Sequence, residues 1–96
     1  MSTLHIVYRP PSSGQLETVL TLARPDDGII LIQDGVFALG SEGERSRLAA
    51  SSKSGIRIYA LKPDIEARSI KSPDYVDVRE YDGLIELLER YDRTFS

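Results

Sequence analysis

One stretch decides the predicted fold: Gly28-Ile29-Ile30-Leu31-Ile32-Gln33-Asp34-Gly35-Val36, within a chain of 96 residues. Its first half is a short apolar run rich in isoleucine, which is typical of a strand buried on both faces, as in a parallel sheet. Its second half is an acidic turn with a glycine, which indicates the start of a helix. A strand that leads directly into a helix is the repeating step of an α/β fold.

The same step returns further along the chain, in Ile56-Arg57-Ile58-Tyr59-Ala60-Leu61-Lys62-Pro63-Asp64-Ile65-Glu66-Ala67-Arg68. Pro63 fixes a backbone angle suited to the first helical turn, and Asp64 places negative charge near the positive end of the helix. In open α/β sheets, binding sites form where strands end and helices begin. We therefore expect the two turns, with Gln33, Asp34 and Lys62, to form a candidate strand-end site.

Outside these two stretches, the chain continues the alternation of strands and helices. Further strands are predicted over residues 4–8 and 74–79, and further helices over residues 14–24 and after Asp82, which we expect to cap the last helix. About four βα steps predict a single domain over residues 1–96. The predicted fold is a three-layer α/β/α sandwich with a mainly parallel sheet of four to five strands.

The last helix has apolar residues at helical spacing. Leu84, Ile85, Leu88 and Tyr91 are predicted to lie on one face of the helix. The segment from Gly40 to Gly55 is polar and rich in serine, and two interpretations of it stay open. It is either a poorly packed helix with a flexible tail or a segment that faces a partner.

Composition argues against several classes of protein. The chain is 41% hydrophobic and 28% charged, which is typical of a globular domain, and its formal net charge is −3. Lysine and arginine are scattered rather than clustered, whereas phosphate neutralisation dominates the affinity of nucleic-acid-binding proteins. Direct nucleic-acid binding is therefore disfavoured, unless the fold gathers a basic patch.

The chain contains no cysteine. It therefore has no thiolate nucleophile, no disulfide, no zinc–cysteine site and no group that can carry a persulfide. The sequence shows no signal-peptide pattern, and no apolar run reaches the roughly 20 residues that span a bilayer. We expect a cytoplasmic protein that does not enter a membrane.

No familiar catalytic or cofactor motif is present. The sequence lacks the glycine-rich phosphate-binding patterns and the G-x-S-x-G nucleophile turn, and it has one histidine, His5. A metal site would need carboxylates such as those of Asp34 and Asp64, and helix N-capping explains both residues without a metal. We expect no cofactor and no metal.

The remaining candidate residues each have a structural and a functional interpretation. His5 is either a hydrogen-bonded residue near the sheet or an interface, or a pH-sensitive acid or base. Lys62 and Arg68 either bind an anion, or are solvated, or pair with Glu66 or with an acidic residue of a partner. Phe37 and Tyr59 are aromatic residues of the core or of an interface.

Taken in order, four blocks of the sequence resemble the TusB/DsrH family of sulfur-relay subunits, and this resemblance implies a DsrEFH-like, flavodoxin-like fold. They span nearly the whole chain and are Leu4–Val7 with Pro11, Leu31–Val36, Tyr59–Arg68 and Tyr81–Leu87.

The resemblance implies a subunit that assembles with TusC/DsrF-like and TusD/DsrE-like subunits. In the thiolation branch, that complex relays persulfide sulfur from a TusA-like donor to a TusE-like acceptor, and the sulfur ends in 2-thiouridine at the tRNA wobble position. In the other branch, the related complex takes part in sulfur oxidation.

Three features depart from the family pattern. Val19 stands near the position where some DsrH-type members have a cysteine, which favours a TusB-like subunit that carries no sulfur. Ser69 replaces the usual glycine after Ala-Arg, and the terminal tryptophan is missing.

The combined expectation is a non-catalytic subunit of a sulfurtransferase complex. Two alternatives stay open: a stand-alone homo-oligomer that binds a small anion at the strand-end site, and an enzyme that uses the carboxylates there. The candidate interface or strand-end residues are His5, Gln33, Asp34, Phe37, Tyr59 and Lys62.

Overall fold

A computed structural model describes all residues from 1 to 96. Five strands form one sheet in the order β4-β3-β2-β1-β5, and every neighbouring pair is parallel. The predicted parallel sheet is therefore confirmed. The strands are β1 Thr3–Val7, β2 Gly28–Leu31, β3 Arg57–Leu61, β4 Val76–Arg79 and β5 Arg93–Phe95.

Four α-helices and two 3₁₀ segments connect these strands. The successive connections from β1 to β4 all step in one direction across the sheet, and the last connection returns from β4 to β5 at the other edge. Because such crossovers are right-handed, the reversal places the last helix on the opposite face. The segments are α1 Gln15–Leu22, α2 Glu42–Lys53, α3 Lys62–Ala67, α4 Tyr81–Arg90, and the 3₁₀ segments Pro11–Ser13 and Gln33–Gly40.

Two buried clusters mark the two faces of the sheet. The larger cluster joins the strands to α1, α2, α3 and the 3₁₀ segment after β2, and the smaller one joins them to α4. All four residues of β2 are buried, as expected for a central parallel strand covered on both faces. The molecule is thus the predicted three-layer α/β/α sandwich.

The orientation of α4 corrects one prediction. Leu87 and Tyr91 are buried against the sheet with Leu84 packed beside them, but Ile85 and Leu88 are exposed. Positions 84, 87 and 91 form one line on a helix, and position 85 lies about 100° from position 84. The residues predicted to lie on one face are therefore divided: Leu84 and Tyr91 turn toward the sheet, and Ile85 and Leu88 turn toward solvent.

The start of α4 corrects another prediction. Glu80 occupies the N-cap position and the helix begins at Tyr81, so Asp82 lies within the first turn and does not cap the helix. Its Oδ1 accepts a hydrogen bond of 3.0 Å from the N–H of the adjacent Gly83.

The polar segment after Gly40 forms a regular helix, α2, with Leu48 as its buried residue. Three side-chain hydrogen bonds tie it to the rest of the fold: Arg45 Nη1 donates to the carbonyl of Leu39, Arg47 donates to the carboxylate of Glu17 in α1, and the Tyr75 hydroxyl donates to the carbonyl of Arg45. One buried residue agrees with the poorly packed helix of the first interpretation, but only residues 54–56 lie between α2 and β3, so the predicted tail is absent. No helix in the protein combines the length and the apolar character needed to cross a membrane.

Candidate functional site

The turn after β2 is built on a close approach to the end of β1. A Cβ atom at Gly35 would lie 2.1 Å from the carbonyl oxygen of Val7, so only glycine fits there. The same oxygen accepts the N–H of Ile32 at 2.9 Å. Val36 follows with no exposed surface. Packing therefore explains Gly35 and Val36, the last two residues of the block Leu31–Val36.

Gln33 begins the 3₁₀ segment in an uncommon backbone conformation. Its φ of 50° lies in the left-handed region, which costs a non-glycine residue about 1–2 kcal/mol. Its N–H donates to Oδ2 of Asp64 at 2.7 Å, which links this turn to α3. Since the side chain is exposed, the structure holds the backbone of Gln33 and leaves its amide group at the surface.

Arg68 connects the two acidic turns. Its Nη2 lies 3.0 Å from Oδ1 of Asp34, and its Nη1 lies 3.6 Å from Oδ1 of Asp64. Its guanidinium also lies over the ring of Phe37, at 5.7 Å from the ring centroid. We call these residues the strand-end site: Gln33, Asp34, Phe37, Asp64 and Arg68.

The two aspartates of the site do not cap helices, contrary to prediction. Ile32 is the N-cap of the 3₁₀ segment, Leu61 is the N-cap of α3, and neither has a side-chain acceptor. The reason is that each strand runs into its helix with no intervening loop, which places both aspartates within the first turn. The negative charge of each aspartate still stabilises the positive N-terminal end of its helix. Arg68 lies between the two carboxylates, where a bound metal cation would otherwise have to lie.

Lys62 does not join the strand-end site. Its Nζ lies 3.6 Å from Oε2 of Glu80, and both side chains are about half exposed. Asp34, Asp64 and Arg68 together carry a formal charge of −1, and the Lys62–Glu80 pair is neutral. These five residues therefore offer no unpaired cation to an anionic ligand.

His5 lies in the interior, away from the strand-end site. Its Nε2 is 3.2 Å from Oδ2 of Asp27, the residue that precedes β2 at the opposite end of the sheet. Its ring meets the edge of Phe95 with centroids 6.2 Å apart. Nδ1 is buried and has no hydrogen-bond partner. This placement agrees with the structural interpretation of His5.

Asp27 is the polar centre of that end of the fold. Burial raises the pKa of its carboxyl, but hydrogen bonds from the N–H groups of Arg24 and Thr3 and from His5 lower it, and the net pKa is below its ordinary value. The two backbone bonds are each 3.0 Å long. Asp27 thus joins β1, β2 and the end of α1, a role that the sequence pattern did not reveal.

Tyr59 is also interior. It has no exposed surface, and its hydroxyl lies 3.0 Å from that of Tyr91. Burial and this hydrogen bond raise the pKa of Tyr91. Of the six residues proposed from the sequence, the structure brings together Gln33, Asp34 and Phe37, and it places His5, Tyr59 and Lys62 elsewhere.

Asp64 and Arg68 complete the site, although neither was among those six. Their spacing of four residues is the one signal in the sequence that could have paired them on a helix.

Comparison with known proteins identifies the family. The family described as "DsrH like protein" matches residues 9–94. The chain belongs to the TusB/DsrH family. Protein TusB of Photorhabdus laumondii is 36% identical over 95 residues, which cover 97% of this chain and 98% of that protein. Protein TusB of Serratia proteamaculans is 32% identical over 90 residues, covering 92% and 93%. The family resemblance stated from the sequence is confirmed.

Two solved structures have a fold similar to that of this TusB/DsrH-family chain. The ychN protein of E. coli superposes with a TM-score of 0.80 at 21% identity, over 99% of this chain and 98% of that chain. Protein Tm0979 of Thermotoga maritima gives a TM-score of 0.63 at 28% identity, over 92% of each chain. The α/β fold predicted from the sequence is thus shared with known proteins.

Proposed function

We propose that this chain is a non-catalytic, single-domain subunit of a cytoplasmic, TusBCD-like sulfurtransferase complex. Membership of the TusB/DsrH family carries the assignment to a sulfur-relay complex, and the lack of any cysteine supports the non-catalytic role. Persulfide sulfur travels on thiols, so a chain without one takes part by shaping or positioning a site built by other subunits.

The proposed partners are TusC/DsrF-like and TusD/DsrE-like subunits. Their complex would accept sulfur from a TusA-like donor and pass it to a TusE-like acceptor, and the sulfur would end in the 2-thiouridine of the tRNA wobble position. The strand-end site suits a contact role. Arg68 fixes the two turns through Asp34 and Asp64, while Gln33 and Phe37 stay exposed.

The charge of the strand-end site argues against a homo-oligomer that binds a small anion there. Arg68 is paired with two carboxylates and Lys62 with a third. An anion would have to displace one of these carboxylates and would then meet the repulsion of the others.

Deletion of the gene in its native host tests the function. We expect 2-thiouridine to disappear from wobble positions of the affected tRNAs, as measured by mass spectrometry of nucleosides, and to return when wild-type protein is expressed from a plasmid. An empty plasmid is the control.

Unchanged 2-thiouridine in the deletion strain contradicts the thiolation role. If such a strain instead loses the ability to oxidise reduced sulfur compounds, the chain is a DsrH-like subunit of the sulfur-oxidation branch rather than a subunit for tRNA thiolation.

A further inference from the structure

Helix α4 carries an apolar stripe that the fold does not cover. Tyr81, Ile85 and Leu88 are 59%, 58% and 41% exposed. Their spacing of four and three residues places them along one side of the helix. On the other side, Gly83 packs against the side chain of Arg79 in the edge strand β4. The stripe therefore faces away from β4, toward the middle of the sheet.

The sheet beside this stripe is incompletely covered. Helices α1, α2 and α3 pack on one face, whereas α4 alone packs on the other. Ile6, Ile32 and Leu84 lie at the margin of the α4 cluster and stay partly exposed. Together with Tyr81, Ile85 and Leu88 they form a surface that we call the α4 step, with the helix as its wall and the sheet as its floor.

An acidic ridge borders the α4 step on its outer side. Asp82, Glu86 and Glu89 are exposed, and helical spacing places them next to the stripe on the side away from the sheet. Glu86 lies 3.9 Å from Arg79, at the outer limit of an ion pair, and Asp82 and Glu89 form no ion pair within the chain. The step thus combines an apolar surface with two carboxylates, those of Asp82 and Glu89, that no cation of the chain pairs.

The position of the ridge disfavours a second copy of this chain as the occupant. In a two-fold dimer with antiparallel α4 helices, the two ridges would lie on the same side and repel each other. With parallel helices, each ridge would lie over the apolar floor of the other copy, where burial of carboxylates is costly.

We infer that the α4 step docks a different subunit, which presents an apolar surface bordered by lysine or arginine. This inference rests on the proposed function, since the partner would be the TusC/DsrF-like or TusD/DsrE-like subunit. Burial of the apolar residues of the step would stabilise the complex. The acidic ridge would favour a partner with basic residues over a second copy of this chain.

The test uses the full chain and the host's TusC/DsrF-like and TusD/DsrE-like subunits, purified together. Ile85→Asp and Leu88→Asp place a charge in the proposed interface, and we expect each to weaken binding at least tenfold. Leu22→Asp is the matched control, because Leu22 is 51% exposed on α1 at the other face of the sheet. It should bind like the wild type. Circular dichroism confirms that each variant is folded.

A second pair of variants tests the charge. Glu89→Lys should weaken binding and make the affinity less sensitive to salt. Glu42→Lys is the control: Glu42 is exposed on α2, and its change should alter neither the affinity nor the salt sensitivity.

Three outcomes would overturn the inference. If Ile85→Asp and Leu22→Asp bind equally well, the α4 step is not the interface, although the proposed function stands. If the isolated wild type forms a dimer that Ile85→Asp dissociates, a second copy occupies the step. If the wild type binds neither subunit, the proposed function fails as well.

Discussion

Gly35 and Val7 approach so closely that a Cβ atom on Gly35 would lie 2.1 Å from the carbonyl oxygen of Val7 and 2.8 Å from its carbonyl carbon. This approach seats the turn after β2 on the end of β1. Because Gln33 and Asp34 belong to the same turn, the position of the strand-end site depends on it.

We predict that Gly35→Ala destabilises the protein by about 3 kcal/mol or more, because backbone atoms would have to move to admit the methyl group. Unfolding in urea, monitored by circular dichroism, measures the change. Gly43→Ala is the control: nothing lies within 4 Å of a Cβ there, and Gly43 is in helix α2. That change should stabilise the protein by about 0.5–1 kcal/mol. Equal effects of the two substitutions would contradict the account.

Asp27→Asn should destabilise the protein by about 2–3 kcal/mol near neutral pH. The carboxylate accepts the N–H of Thr3 on one oxygen, and those of Arg24 and His5 on the other. An amide has one acceptor oxygen, so its NH₂ group would face a donor. Asp74→Asn is the control, because Asp74 is exposed and forms no ion pair, and its effect should stay within about 0.5 kcal/mol.

The same residue predicts a pH dependence. The pKa of Asp27 is lowered in the folded state, so its contribution to stability is full above the unfolded pKa of about 4 and is lost as pH falls through the folded pKa. The difference in unfolding free energy between wild type and Asp27→Asn should therefore shrink below about pH 4. Urea titrations from pH 3 to pH 7 measure it. A difference that stays constant over this range would show that Asp27 makes no such contribution.

A double-mutant cycle on Asp34 and Arg68 should give a coupling energy of about 0.5–1 kcal/mol. Arg68 is three-quarters buried, is fixed by two carboxylates and lies over Phe37. The control cycle uses Lys62 and Glu80. Their side chains are 48% and 59% exposed, and their charged atoms lie 3.6 Å apart, so the coupling energy should be near zero. The reverse order of the two couplings would contradict the description of the site.

Gln33→Gly should stabilise the protein by about 1 kcal/mol, because glycine adopts the left-handed conformation of this position without strain and keeps the N–H that Asp64 accepts. If Gln33 contacts a partner subunit, the same change should weaken binding, so stability and affinity would move in opposite directions. Asp26→Gly is the control, since Asp26 has a φ of 78° at the other end of β2. It should leave affinity unchanged, and a loss of affinity in both variants would argue against a specific role of Gln33.

The order of strands and helices could be predicted from the sequence because β2 is a continuous apolar run and the other two central strands, β1 and β3, are mostly apolar. Strand β5 could not: Arg93, Thr94 and Phe95 form three exposed residues at the edge of the sheet, with no alternation or apolar run to mark them. Apolar residues on α4 cover a wide arc, so two sets with helical spacing were available, and only the packed sheet decides that Leu87 rather than Ile85 faces inward.

The candidate site was predictable in part for a similar reason. Parallel strands place Gln33 and Asp34 at the edge where β3 also ends. The pairing of Asp34 with Arg68 rather than with Lys62 depends on where α3 begins. Since α3 starts at Lys62, Asp64 and Arg68 fall one turn apart and point toward the turn after β2, a geometry that residue types alone do not specify.

Purification from the native host tests the central claim most directly. The tagged protein, expressed at its native level, is isolated, and its stoichiometric partners are identified by mass spectrometry with intact masses. The account predicts two small related subunits, one of which carries a cysteine that can hold a persulfide. A homo-oligomer of this chain alone would contradict it.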